Sequence, residues 1–151
     1  MIDWLLKILH KTESQDAEAK QIAKHLSKVL LHELSGIEAL YPDIKEKAEA
    51  LIKRMRELQA PITITETFRS AKKQDGLSNG LTKAKGLQSY HQYGLAFDVM
   101  FEEWGYQPPI GGNWWTILGN EGKKLGLEWG GSWANFPDNV HFQWTANGKI
   151  T

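Results

Sequence analysis

Residues 89–99 read "SYHQYGLAFDV", with a histidine and an aspartate seven positions apart among aromatic, aliphatic and small residues. Over residues 94–99 the pattern is that of a strand: Leu95, Phe97 and Val99 point one way, and Gly94, Ala96 and Asp98 the other. The first face is core. The second is kept low by glycine and alanine, so that a ligand or ion can approach the backbone, and it ends in a carboxylate that needs a partner once buried.

Further along, "PDNVHFQW", residues 137–144, repeats the design. Val140, Phe142 and Trp144 alternate with His141 and Gln143, a second strand whose polar face carries His141 toward whatever Asp98 faces. A lone strand histidine is ordinarily a hydrogen-bonded core or surface residue; two strands of matching design are what point to a metal. His91, Asp98 and His141 together offer two nitrogens and an oxygen. Three protein donors leave a tetrahedral ion one position for water, the make-up of a catalytic rather than a structural zinc site. Asp138, three residues before His141, stands beside that water as a fourth polar group. The facial triad of non-haem iron oxygenases uses the same donors, but it usually sets its carboxylate two residues from the first histidine rather than seven.

Upstream, residues 16–34 place Ile22, Leu26, Val29 and Leu30 at helical spacing, with Ser14 or Asp16 as cap. His25 and His32 lie on this helix seven residues apart, too far to share an ion as an i, i+4 pair can, and read as surface residues. Gly36 breaks the pattern. After Pro42 a second helix, residues 43–59, lines up Ile44, Ala48, Leu51, Ile52, Met55 and Leu58. In "PITITETF", residues 61–68, the period changes to two, with isoleucines against threonines, a strand that delivers Arg69 at its end. Residues 75–88, rich in glycine and polar groups, read as a long loop.

Composition excludes several classes. A chain of 151 residues fits one domain that buries roughly 70% of the surface its unfolded form exposes. There is no cysteine, so disulfides and thiolate metal sites are ruled out. Basic and acidic residues balance at 18 each, so no positive field points to nucleic acid. No apolar run reaches eighteen residues, and no stable membrane insertion is expected. The opening "MIDWLLKILHK" lacks a basic leading region and a cleavage site, and is read as retained rather than as a signal peptide. Residues 2–9 read as a short amphipathic helix docked on the body of the domain.

The series "TFRSAKKQ", "SYHQYGLAFDV", "LGLEWGGSW" and "DNVHFQW" closely resembles the LAS metallopeptidases, specifically the L-alanyl-D-glutamate endopeptidases of phage endolysins and bacterial wall-remodelling enzymes. The resemblance covers about residues 37–151. It implies an α+β fold in which a small antiparallel sheet carries a zinc site and packs with helices, shared with D-alanyl-D-alanine carboxypeptidases and the hedgehog signalling domain. Residues 1–36 then form a helical N-terminal extension, whose plainest role is to cap the catalytic domain of residues 37–151.

Carried over by position, the resemblance makes His91, Asp98 and His141 the zinc ligands and Asp138 the catalytic acid-base residue, as spacing had suggested. Arg69 matches an arginine that holds a substrate carbonyl or carboxylate, and Gln74 and Ser89 match polar positions lining the cleft. The other reading of Arg69 is an ion pair with a buried acid such as Glu66. Trp129 and Trp133 read as packing rather than as cleft wall.

The implied reaction is hydrolysis of the L-alanyl-D-glutamate bond in the stem peptide of peptidoglycan, by a monomer released like a phage lysin through a membrane lesion made by another protein. Two alternatives stand beside it: a D-alanyl-D-alanine carboxypeptidase with the same zinc site, and a zinc-stabilised binding module. Asp138 speaks against the module, which has no use for a base beside an open coordination position.

Overall fold

The computed structural model describes residues 17–32, 34–68 and 90–145. The short helix expected over residues 2–9, its neighbours Ser14 and Asp16, the loop expected over 75–88, and Arg69, Gln74 and Ser89 lie outside them. In chain order the elements are helix α1 (Ala17–His32), a 3-10 turn (Gly36–Ala39), α2 (Pro42–Glu57), strand β1 (Ile62–Glu66), a second 3-10 turn (Tyr90–Tyr93), β2 (Ala96–Phe101), α3 (Trp114–Lys124), β3 (Glu128–Trp129), a third 3-10 turn (Gly130–Ser132) and β4 (His141–Gln143). The strands form one antiparallel sheet in the order β1-β2-β4-β3. This is the α+β architecture expected from the sequence.

Helical periodicity sets what the helices bury. Ile22, Ala23 and Leu26 of α1, and Ile44, Ala48, Leu51 and Met55 of α2, enter one core with Ile62, Leu95, Phe97, Val99, Phe101 and Phe142 of the sheet region. Pro42 starts α2 where a missing N–H costs nothing. Phe97 and Phe142, paired across β2 and β4, stack at 5.5 Å. Burying each ring completely stabilises the fold by roughly 1.5–3 kcal/mol. The third helix lies close to the sheet because Gly119 and Gly122 give way to the Trp129 and Phe142 rings, where any Cβ would collide.

Five local expectations are corrected. The strand begins at Ala96, and His91 sits in the 3-10 turn before it, closed by Leu95 N–H donating to the Tyr90 carbonyl at 3.1 Å. The turn exists because Gly94 adopts φ +67, a left-handed conformation that glycine reaches freely. A Cβ on Gly94 would stand 2.8 Å from the Ala39 carbonyl oxygen, so this glycine serves packing and not ligand approach. In β1 the pairing register shifts between Ile64 and Glu66, so that Thr65 is exposed while Thr67 is buried. All three residues of β4 are buried, Phe142 on one face and His141 and Gln143 on the other. Finally, His25 is half-buried, its Nε2 donating to the Ala39 carbonyl at 3.1 Å; His32 is exposed.

Candidate metal centre

Pairing of β2 with β4 puts Asp98 directly opposite His141, and the turn ahead of β2 swings His91 onto the same spot. His91 Nε2, His141 Nδ1 and Asp98 Oδ1 form a triangle with edges of 3.1, 3.1 and 3.2 Å. His91 and His141 are buried, and the Asp98 side chain is 15% exposed. Among the described residues these three make up the group of side chains able to hold a metal ion.

The outer nitrogen of each ring decides what the inner one can do. His91 Nδ1 lies 2.8 Å from the Thr67 carbonyl, which only accepts, so that nitrogen carries the proton and Nε2 keeps its lone pair. His141 Nε2 likewise donates to Gln143 Oε1 at 2.8 Å, leaving the Nδ1 lone pair free to point inward. Two neutral imidazoles and a carboxylate thus aim three lone pairs at one point with no hydrogen between them, an arrangement that calls for a cation. With zinc bonds of ~2.0–2.1 Å, tetrahedral donors stand ~3.3 Å apart, close to the triangle observed. Donor set and spacing fit zinc.

Without an ion, a proton takes its place. Burial opposes ionisation of Asp98, but hydrogen bonds from His141 and His91, with their charge, hold its carboxyl well below the ordinary range. Burial likewise disfavours a charged His141, yet the Asp98 hydrogen bond and charge raise its pKa above that of a free imidazole.

Asp138 is half-buried in the turn leading to β4. Its N–H donates to the Gly130 carbonyl at 2.9 Å and its own carbonyl accepts from His141 N–H at 3.2 Å, so the backbone ties it to His141. Gly130 is required there, because a Cβ would run into the Asp138 carbonyl and stand 3.2 Å from His141 Cβ. Burial and the charge of Asp98 push the Asp138 carboxyl up, against the pull of His141, His91 and the Val140 amide.

Three features escaped the sequence reading. The Thr67 carbonyl has no sequence signature. Gln143 did have one, two residues after His141 on the same strand face. Trp133, read as packing, borders the site: its ring centroid is 5.2 Å from that of His141, and its Nε1 donates to Glu128 Oε1 at 2.8 Å. Trp129 is buried in the core, with its Nε1 donating to the Asn139 carbonyl at 2.8 Å.

A two-histidine, one-carboxylate centre on an antiparallel sheet, with a further carboxylate beside it, defines a metallohydrolase class. A family described as D-alanyl-D-alanine carboxypeptidase matches residues 82–144. The chain is 34% identical over 125 residues to the peptidoglycan L-alanyl-D-glutamate endopeptidase CwlK of Bacillus subtilis (strain 168), spanning 72% of this chain and 75% of that protein. It is 28% identical over 123 residues to the L-alanyl-D-glutamate peptidase of Listeria phage A118, spanning 78% of this chain and 42% of that one. The solved structure of the L-Ala D-Glu endopeptidase ChiX of Serratia marcescens shares the fold, with a TM-score of 0.59 at 21% identity over 76% of this chain and 87% of that one. The chain belongs to the LAS metallopeptidases, in the group of the peptidoglycan L-alanyl-D-glutamate endopeptidases.

Proposed function

We propose that this protein is a zinc endopeptidase that hydrolyses the L-alanyl-D-glutamate bond of the peptidoglycan stem peptide. The observation that carries the hydrolytic chemistry is the triangle of lone pairs at His91, Asp98 and His141 with Asp138 tied beside it. The choice of bond rests on kinship with CwlK. His91, Asp98 and His141 would hold a zinc ion, which when bound would lower the pKa of a water to about 7 and polarise the scissile carbonyl.

Asp138 would accept a proton on its carboxylate and return it to the leaving amine. A carboxyl whose pKa is raised by burial is better matched to this exchange at neutral pH than an exposed aspartate. His91 and His141 stay neutral, each with its outer N–H committed to a fixed acceptor. Arg69, Gln74 and Ser89 are proposed as contacts to the stem peptide, on the strength of their match to the family motif.

Residues 37–151 are taken as the catalytic domain and residues 1–36 as a helical extension; sharing of the core by Ile22, Ala23 and Leu26 supports a supporting role for α1. Among the described residues no helix is long and apolar enough to cross a membrane. We take the protein to act on the wall as a monomer, without membrane insertion, in the manner of a phage lysin.

Mass spectrometry of purified peptidoglycan after incubation tests the activity. New D-glutamate amino termini with intact glycan strands, abolished by chelator, are expected. Release of free D-alanine would instead make it a carboxypeptidase, and no chelator-sensitive product would leave a binding module.

A further inference from the structure

His91 is held from two sides by the segment that joins α1 to α2. Its Nδ1–H donates to the Thr67 carbonyl, and the Thr67 hydroxyl donates in turn to the Gly36 carbonyl at 2.7 Å. On the other side, Tyr41 N–H donates to the Gly94 carbonyl at 3.0 Å, which fixes the end of the turn that carries His91. One short segment therefore reaches the His91 ring through Thr67 and the turn that carries His91 through Gly94.

The Thr67–Gly36 bond stands at the edge of an open space. Residues 34–36 and 64–68 line a cavity of about 330 Å³ there. Across a gap, a hydroxyl-to-carbonyl bond sets a spacing that close packing would set elsewhere. Thr67 reaches it because the register shift in β1 buries this threonine, at 5% exposure, while Thr65 stays outside.

We propose that Thr67 is a positioning residue of the metal centre: its hydroxyl, anchored on Gly36, fixes the carbonyl that orients His91, and the linker after α1 thereby tunes zinc affinity. The proposal rests on the zinc reading above. Thr67→Val keeps the shape and the carbonyl but removes the donor; Thr67→Ser keeps the donor. Zinc affinity measured by chelator competition on the full chain should weaken about tenfold in Thr67→Val, the low end of the roughly 10- to 100-fold seen when partners of metal ligands are changed. It should stay near wild type in Thr67→Ser, and the metal-free melting temperatures of all three should agree within a few degrees.

A second pair of variants keeps the test decisive if Thr67→Val does not fold. Gly36 has φ +58 and Gly111 φ +92, and a Cβ on either meets nothing within 4 Å, so alanine brings backbone strain alone. Gly36→Ala should weaken zinc binding and Gly111→Ala should not. Equal zinc affinity in wild type, Thr67→Val and Gly36→Ala would overturn the proposal, as would Gly111→Ala weakening zinc as much as Gly36→Ala. A wild-type protein that takes up no zinc would overturn the metal reading itself, and this linkage with it.

Discussion

Asp138 separates an enzyme from a zinc-holding module, because the role proposed for it is to move a proton and not to hold the ion. General acid-base groups contribute about 10²- to 10⁴-fold in rate, or roughly 3–5 kcal/mol of barrier. Asp138→Asn keeps the shape but cannot accept a proton, so turnover should fall at least about a hundredfold while zinc content is unchanged. Wild-type turnover would remove Asp138 from the mechanism, and loss of zinc would make it a ligand. The proposed ligands answer to elemental analysis. His91→Ala, Asp98→Ala and His141→Ala should each lose stoichiometric zinc, whereas His32→Ala, on the exposed end of α1, should retain it. At this scale the triad was legible, since each donor is a residue type with its own chemistry. The groups that aim the donors were less so: any residue can offer the carbonyl that Thr67 offers, and only folding brings it to His91.

Alternation of apolar and polar side chains exposed the cores of β1, β2 and β4, and helical spacing exposed α1 and α2, because burial imposes those periods directly. What alternation misses is any place where the chain leaves the period for a tertiary reason. The turn at Tyr90–Tyr93 has the aromatic look of a strand, and its departure is set by Gly94 lying under the Ala39 carbonyl. The register shift in β1 is equally silent, since threonine recurs at every second position, 63, 65 and 67, on either side of it. The contact of α3 with the sheet is written only as two glycines. Gly122→Ala would drive a Cβ into the Phe142 ring, next to His141 on β4, and overpacking of this kind costs about 1–3 kcal/mol. A calorimetric melt should register a drop of several degrees; an unchanged midpoint would show that α3 can slide away from β4.

For the molecule as a whole, protons and zinc compete for the same lone pairs. Asp98 has a depressed folded pKa, so its contribution to stability is present above the unfolded value of about 3.9 and is lost as pH falls. His141 has a raised one, so its contribution is complete below about 6.5 and disappears as pH rises through the folded value. Asp138, also raised, resists ionisation and favours the acid side as well. Protein held in chelator should therefore be most stable between about pH 4 and 6.5 and weaken toward pH 8. Zinc should reverse the alkaline loss, because neutral imidazoles bind it best, and the gap in melting temperature between loaded and chelated protein should widen from pH 6 to 8. A gap that narrowed would mean that the ion binds elsewhere.

The pairing of β2 with β4 also carries a consequence in time. His141 follows His91 by 50 positions and Asp98 by 43, and the chain leaves the ribosome in that order. A nascent chain first displays two donors that can do nothing. The hydrolytic centre comes into being when the last-made strand threads between β2 and β3, so a chain cut short or stalled before that point is inert.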